Sequence, residues 1–163
     1  MIAKVLISFE LNSKKIEVET EPDRRVIDLL REDLGLTGVK ESCGRGDCGS
    51  CSILVDGFVR LSCLMLAVQL HGRKILTIEG LNELEGVSIS VQDAFVELGA
   101  VQCGFCTPGM IMSTIDLLNS NPKPSRNEIR EAISGNICRC GAYQKILDAV
   151  ETVTEELSES KNV

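Results

Sequence analysis

Three of the eight cysteines lie within eleven consecutive residues, 41–51: Glu41-Ser42-Cys43-Gly44-Arg45-Gly46-Asp47-Cys48-Gly49-Ser50-Cys51. These cysteines, taken together with Cys63, have the spacing C-x4-C-x2-C-x11-C. This order of three close cysteines and a distant fourth is the ligand spacing of plant-type [2Fe–2S] clusters. Two irons bridged by sulfides need four thiolates that converge from one side, so three must come from a tightly curled segment. The spacing predicts that this first cysteine group (Cys43, Cys48, Cys51 and Cys63) holds such a cluster.

Glycines make the tight curl of this segment possible. Gly44, Gly46 and Gly49 can adopt positive φ and let backbone N–H groups approach the sulfurs, where they stabilise the negative charge of a thiolate-bound cluster. Structural zinc is the alternative, but zinc sites usually combine short C-x2-4-C pairs rather than a glycine-rich triple. The match of residues 44–49 to G-x-G-x-x-G is not a dinucleotide site, because that motif needs a preceding strand and a following helix.

The residues on both sides of the loop predict a small domain with a mixed sheet over residues 1–80. Apolar alternation predicts strands, helical spacing predicts one helix, and Asp56-Gly57 predicts a tight hairpin. The predicted elements are strands over 5–11 and 16–19 joined by a turn at 12–15, a helix from Val26 to Leu34 ended by Gly35, a hairpin over 53–61, and a strand over 75–78.

From about Gly80 onward the apolar pattern becomes helical and predicts a second domain over residues 81–163. The chain is expected to cross from the first domain to the second at Leu81–Gly86. Four helices with short connections indicate a bundle. Their signals are the apolar face from Val91 to Leu98, Thr107-Pro108 as N-cap and first helical residue, the capping-box pattern of Ser125 and Glu128, and the apolar face from Ile146 to Val153.

The second cysteine group consists of Cys103, Cys106, Cys138 and Cys140, with the pattern C-x2-C…C-x-C. Each pair precedes a predicted helix, where backbone donors and the helix dipole favour thiolates. Four ligands at facing helix ends can hold a second two-iron cluster. Spacing alone leaves a zinc site with four cysteines as an open alternative for this group.

Composition excludes several classes of function. The 163 residues carry 17 Lys and Arg against 24 Asp and Glu, a net charge of −7, which argues against a nucleic-acid or anionic-membrane surface. A single histidine removes most hydrolytic mechanisms that need an imidazole base. The N-terminus does not match a signal peptide, and no apolar stretch is long enough for a membrane span. We therefore expect a cytoplasmic protein, in which clustered cysteines bind metal more often than they form disulfides.

The whole chain resembles the small iron–sulfur subunit of the molybdenum hydroxylases, the family of xanthine dehydrogenase, aldehyde oxidoreductase and carbon monoxide dehydrogenase. The motifs that carry the resemblance are residues 41–51, Val101-Gln102-Cys103-Gly104-Phe105-Cys106-Thr107-Pro108-Gly109-Met110, and Gly135-Asn136-Ile137-Cys138-Arg139-Cys140. The resemblance implies an α+β protein. An N-terminal β-grasp, plant-type ferredoxin-like domain would precede a C-terminal domain like a four-helix bundle, each with one [2Fe–2S] cluster.

The resemblance also implies an electron relay within an oxidoreductase complex, expected to be a heterotrimer. A large subunit would carry a molybdopterin-type molybdenum cofactor, and a medium subunit would carry FAD. Gln102 would hydrogen-bond the pterin, Cys140 would lie next to it, and the loop Gly44-Arg45-Gly46-Asp47 would face the flavin. This chain would transfer electrons and contribute no catalytic residue. It departs from the family where Gly141-Ala142 replaces the usual Thr-Gly, which removes a hydroxyl near the second cluster.

Two alternatives remain at this point. A free two-cluster ferredoxin would carry electrons without being a subunit, although it would have no need of a pterin contact by Gln102. A cysteine-rich zinc protein would have a structural or interaction role. Iron content and visible absorption separate the zinc protein from the other two, and co-purification with two larger chains separates the subunit from the free carrier.

Overall fold

The computed structural model describes residues 3–83 and 87–159, and the first half of the chain is built around a five-stranded sheet. The strands are β1 (Val5–Leu11), β2 (Lys14–Thr20), β3 (Ser52–Val55), β4 (Phe58–Leu61) and β5 (Lys74–Leu76). They lie in the order β2-β1-β5-β3-β4. Since β1 is parallel to β5 and the other neighbours are antiparallel, the predicted mixed sheet is confirmed.

Both hairpins of the sheet turn through two residues in the left-handed region. Asn12 and Ser13 have φ of 49° and 65°, and Asp56 and Gly57 have φ of 52° and 87°. Two positive φ values in a row match the right-handed twist of the flanking strands, which explains the predicted turn at Asp56-Gly57. The first turn is shorter than predicted, because the residue after Ser13 already belongs to β2.

One face of the sheet is covered by a short helical segment. Helix α1 (Val26–Asp28) continues into a π-helical turn over Leu29–Asp33, and Gly35 follows with φ of 71°. The predicted helix is therefore confirmed, although its second part is wider than an α-helix. The core between this segment and the sheet consists of buried side chains that include Ile7, Phe9, Leu11, Val26, Ile27, Leu29, Leu30, Ile53, Val55 and Ile75.

Strand β5 is shorter than predicted. It ends at Leu76, and a 3-10 helix over Ile78–Glu83 follows. The Thr77 N–H donates to Oδ1 of Asn12 at 2.9 Å, and the Thr77 hydroxyl donates to the Glu79 carboxylate at 2.6 Å. Side-chain partners of this kind compete with the strand ladder for backbone groups. The prediction of a strand at residues 77 and 78 was therefore wrong.

The second half of the chain is helical, as predicted. Its helices are α2 (Val87–Glu97), α3 (Thr107–Ser120), α4 (Arg126–Ala132) and α5 (Tyr143–Glu159). Ser125 and Glu128 form the predicted capping box of α4. The start of α3 differs from the prediction by one residue, since Cys106 is the N-cap and Thr107 is the first helical residue. Pro108 is still tolerated there, because N–H groups of the first turn have no intrahelical partner.

Helix α3 joins the two halves of the molecule. It packs against α2 and α4 and also against β3 of the sheet. Leu54 of β3 belongs to the helical core together with Met110 and Ile115, whereas Ile53 and Val55 belong to the core on the other face of the sheet. Strand β3 is thus buried on both faces, which holds the cysteine loop that precedes it against the helices.

Residues 84–86, in the predicted crossing between the domains, lie outside the described residues, and the boundary at residue 80 stays a prediction. Among the helices that the structure describes, none combines the length and the apolar character that crossing a bilayer requires.

Candidate metal centres

The thiols of the first cysteine group meet in two pairs. Cys43 lies within hydrogen-bonding reach of Cys48, and Cys51 within reach of Cys63. Cys63 also interacts electrostatically with Cys43, so the two pairs lie side by side. Cys43 is half-buried and the other three are buried. The structure thus brings together all four side chains of this group.

Cys63 reaches the loop because the chain turns directly after β4. It lies in a 3-10 turn over Ser62–Leu64. The Ser62 hydroxyl donates to the carbonyl oxygen of Cys51 at 2.8 Å, and the Ser62 N–H donates to the same oxygen at 3.3 Å. Burial raises the pKa of Cys63 to about 12, against a hydrogen bond from the Gly46 N–H that acts to lower it. A metal ion that binds Cys63 would displace the proton of its thiol and leave a thiolate in a buried site.

Backbone N–H groups of the curled loop point at the sulfur of Cys43. The N–H groups of Arg45, Asp47 and Cys48 donate to it, and that of Arg45 contributes most to lowering the pKa of this thiol to about 6. Gly46 has φ of 92°, a backbone conformation in which a residue with a side chain would be strained. The same donors would stabilise the charge of a thiolate bound to iron, which is the role expected of them from the sequence.

Arg25 anchors the loop to the helical segment beneath it. Its guanidinium donates to Asp28 at 2.7 and 2.6 Å and to Glu41 at 2.7 Å. Its backbone also forms a β-bridge with Leu66, so Arg25 connects the chain before the first cysteine of the group with the chain after Cys63. The sequence alone does not identify Arg25 as part of the site, because an arginine at no regular spacing from the cysteines carries no signal.

The second cysteine group also forms two pairs, one exposed and one covered. Cys103 lies within hydrogen-bonding reach of Cys140, and both are exposed. Cys106 lies within reach of Cys138; Cys106 is half-buried and Cys138 is buried. Cys138 also interacts electrostatically with Cys103, which places the two pairs together. The N–H of Cys138 donates to the hydroxyl of Tyr143, the first residue of α5, at 2.8 Å.

Backbone donors and burial act on this group in opposite directions. The N–H of Phe105 lowers the pKa of Cys103, whereas burial raises the pKa of Cys106 to about 12. For Cys138, burial acts to raise the pKa. Hydrogen bonds from the Ala142 N–H, from the Cys106 thiol and from further backbone N–H groups outweigh burial, and the net pKa is lowered. Like the first group, this one offers thiols together with donors that stabilise their anionic form.

The pairing of the thiols fits two metal ions better than one. A tetrahedral zinc site needs four ligands around a single point. Each group instead offers two adjacent thiol pairs, and the two irons of a [2Fe–2S] cluster take one pair each. The residues present therefore fit such a cluster in each group.

The side chains predicted to meet the pterin lie at the surface of the second group. Gln102 is exposed and directly precedes the exposed Cys103, whose thiol faces that of Cys140. Phe105 is also exposed, at 45%, which is high for an aromatic residue between two buried or half-buried neighbours in sequence. The structure thus brings Gln102 and the exposed thiol pair together at one surface.

The loop predicted to face the flavin is exposed as well. Arg45 and Asp47 form an ion pair at 2.6 Å, with their side chains 78% and 59% exposed. Gly46 between them leaves room for Leu64, whose Cδ1 would lie 2.6 Å from a Cβ at this position. The first group therefore has a polar, accessible rim beside an apolar side chain that is itself 61% exposed.

The two groups are joined by the segment that leads into Cys138. The Ile137 N–H donates to the carbonyl oxygen of Cys48 at 2.9 Å. The buried side chain of Asn136 donates to the carbonyl oxygen of Gly49 at 3.1 Å. The sequence alone gives Asn136 no role, since its partners lie far away along the chain.

Comparison with known proteins assigns each half of the chain to an iron–sulfur family. Residues 9–73 match the family described as a 2Fe-2S iron-sulfur cluster binding domain, and residues 77–151 match the family described as a [2Fe-2S] binding domain. Over 152 residues, the chain is 47% identical to the nicotinate dehydrogenase small FeS subunit of Eubacterium barkeri, covering 93% of this chain and 96% of that protein.

Solved structures agree with these matches. The chain superposes on a chain of quinoline 2-oxidoreductase from Pseudomonas putida 86 with a TM-score of 0.87 and 47% identity, covering 93% of this chain and 94% of the other. It also superposes on the aldehyde oxidoreductase of Desulfovibrio gigas with a TM-score of 0.88 and 35% identity. This match covers 96% of this chain but 17% of the other. The same fold thus occurs as a separate chain and as part of a longer one.

Proposed function

The chain belongs to the family of small iron–sulfur subunits of molybdenum hydroxylases, and from that premise we propose that each of its cysteine groups binds one [2Fe–2S] cluster. Cys43, Cys48, Cys51 and Cys63 would hold the first cluster, and Cys103, Cys106, Cys138 and Cys140 the second. The observation that carries this assignment is the meeting of each group in two thiol pairs. We also propose residues 1–80 and 81–163 as the two domains.

The function of the chain is electron transfer within an oxidoreductase. A [2Fe–2S] cluster supplies a site that takes up and releases one electron. The contribution of the protein is to hold the thiolates in place and to surround them with N–H donors, which for Cys43 come from Arg45, Asp47 and Cys48. Such donors are a main control on cluster potential, because they stabilise the more negative reduced state more strongly.

The partners we propose are a large subunit with a molybdopterin-type molybdenum cofactor and a medium subunit with FAD, in a heterotrimer. The exposed thiol pair Cys103–Cys140, with Gln102 beside it, supports the second group as the side that receives electrons from the large subunit. The exposed rim of Arg45 and Asp47 supports the first group as the side that passes them to FAD. The Gly44–Asp47 loop would then face the flavin.

The compartment we propose is the cytoplasm. The eight cysteines form two compact ligand groups, and in a reducing compartment clustered cysteines bind metal more often than they form disulfides. An acidic chain with a net charge of −7 also has no electrostatic reason to bind nucleic acid or an anionic membrane surface.

The test of the proposed function is purification of the chain from its native source under anaerobic conditions. We expect the chain to co-purify with two larger chains, together with iron, acid-labile sulfide, molybdenum and flavin. Reduction should produce two distinct EPR signals of reduced [2Fe–2S] clusters. Zinc in place of iron would contradict the cluster assignment, and recovery of an iron-containing chain without partners would favour a free ferredoxin-type carrier.

A further inference from the structure

We propose that Asn136 is a positioning residue for electron transfer between the two cysteine groups. Its side chain holds the loop of the first group against the segment that leads into the second group. The inference rests on the proposed function, since it requires a cluster in each group. Asn136 belongs to neither group and lies buried, with 4% of its surface exposed.

One hydrogen bond links the two groups most directly. The Ile137 N–H donates to the carbonyl oxygen of Cys48 at 2.9 Å. Cys48 belongs to the first group, and Ile137 is the covalent neighbour of Cys138 in the second. An electron that leaves one cluster can therefore reach the other along backbone bonds and this one hydrogen bond. Electron tunnelling is faster along bonded links than across gaps, so the length of this contact matters.

Asn136 directly precedes Ile137, and its side chain keeps the Ile137–Cys48 hydrogen bond in place. Its Nδ2 donates to the carbonyl oxygen of Gly49 at 3.1 Å, and its Oδ1 accepts a hydrogen bond from the Ser113 hydroxyl at 2.8 Å. Ser113 belongs to α3, so the amide is fixed on one side by a helix and on the other by the cysteine loop. Because all three groups are buried, loss of either partner would leave a polar atom without water.

The backbones approach so closely here that only glycine fits. A Cβ on Gly49 would lie 2.6 Å from the carbonyl oxygen of Gly135 and 2.5 Å from Nδ2 of Asn136, and a Cβ on Gly109 of α3 would lie 2.3 Å from the carbonyl oxygen of Gly49. The Tyr143 hydroxyl supports the same segment, since it donates to the Asn136 carbonyl oxygen at 3.4 Å and accepts from the Cys138 N–H at 2.8 Å. These contacts place Asn136 at the centre of the junction between the groups.

The test is the substitution Asn136→Asp in the assembled enzyme. Aspartate keeps the shape of the side chain and still accepts from Ser113, but it places a carboxylate oxygen instead of an N–H donor beside the Gly49 carbonyl. The matched control is Asn127→Asp in α4. Asn127 is exposed and accepts from Arg130 at 2.7 Å, a bond that aspartate retains.

The readouts are the splitting of the EPR signals in the fully reduced enzyme, which reports coupling between the clusters, and the rate of electron transfer between them after pulse radiolysis. In Asn136→Asp we expect both signals to remain, their splitting to weaken and the rate to fall at least severalfold. Asn127→Asp should match the parent enzyme. Parent values of splitting and rate in Asn136→Asp would overturn the proposal, even if that variant were less stable.

A second variant tests the positioning role of Asn136 if Asn136→Asp loses a cluster. Ser113→Ala removes the hydroxyl that orients the amide and leaves Asn136 in place, so a weaker splitting supports the proposal and the parent splitting overturns it. Failure of the proposed function looks different, because the parent enzyme itself would then lack two coupled signals. Two coupled signals in the parent, unaltered in both variants, would contradict this inference alone.

Discussion

Cys48 has two separate contacts, one through its side chain and one through its backbone. Its thiol meets that of Cys43, and its carbonyl oxygen accepts the N–H of Ile137. The side chain therefore belongs to the first group alone, while the backbone links that group to the second. A substitution that changes only the side chain separates the two contacts.

Cys48→Ser should remove or destabilise the first cluster and leave the second detectable, because serine oxygen is a poor replacement for a thiolate and the second group shares no ligand with the first. About half of the iron should be lost, and two EPR signals should become one. Cys138→Ser is the reciprocal control and should remove the other signal. Loss of both signals from a folded Cys48→Ser chain, or no change in either, would contradict two independent groups.

Gln102 lies at the exposed surface of the second group, and its substitution tests the proposed direction of electron flow. Gln102→Ala should slow reduction of both clusters by substrate severalfold to about tenfold, since one hydrogen bond is worth about 0.5–1.5 kcal/mol. Reduction by dithionite should stay unchanged, because no ligand is altered. Rapid-mixing absorption of the assembled enzyme measures both rates.

The control for this experiment is Gln92→Ala in α2, an equal truncation in a helix that carries no cysteine of either group. It should leave both rates at the parent values. Substrate reduction that proceeds at the parent rate in Gln102→Ala would contradict the proposed contact between Gln102 and the pterin.

At the scale of elements, two arginines bridge carboxylates in similar ways in the two halves of the chain. Arg25 connects α1 with the cysteine loop through Asp28 and Glu41. Arg126 connects α4 with α5 through Asp148 and Glu151. The side chains of the two arginines are 37% and 34% exposed, so solvent reaches both guanidinium groups to a similar degree. This similarity makes one a control for the other.

Arg25→Gln should destabilise the first cluster selectively, because Glu41 loses the partner that fixes the start of the cysteine loop. We expect a cost of about 1 kcal/mol, the upper part of the range for partly exposed ion pairs. Bleaching of the clusters by an iron chelator, followed by EPR, should show the first signal disappearing severalfold faster than in the parent. Arg126→Gln should leave that rate unchanged, and an unchanged rate in Arg25→Gln would show that the bridge does not hold the loop.

At the scale of the whole molecule, the two halves meet where α3 lies against β3 and against the cysteine loop. The tightest point is Gly109, whose hypothetical Cβ lies 2.3 Å from the Gly49 carbonyl oxygen. Alanine is the better helix former by about 1 kcal/mol, but overpacking against backbone costs about 1–3 kcal/mol. Because a backbone carbonyl cannot move aside as a flexible side chain can, the steric cost should exceed the gain.

Gly109→Ala should therefore lower the free energy of unfolding, by about 1–2 kcal/mol, as measured by thermal denaturation of the cluster-loaded chain. Gly135→Ala is the control at the same junction, since a Cβ there meets no atom within 4 Å and its φ is not positive. It should be neutral or slightly stabilising. Equal stability of Gly109→Ala and the parent would show that the two halves can separate at this point without loss.

Local sequence patterns were enough to identify the residues of the two cysteine groups, the order of the sheet half and the helical half, and the hairpin at Asp56-Gly57. These features are local, because ligand spacing, apolar period and turn residues act over short stretches of chain. Other features follow only from the packing of distant segments: which thiol meets which, where β5 ends, and the contacts by which Arg25 and Asn136 hold the groups in place. Asn136 contacts Gly49 across 87 positions of sequence, and a contact of that kind depends on how the sheet and α3 pack, which no local pattern encodes.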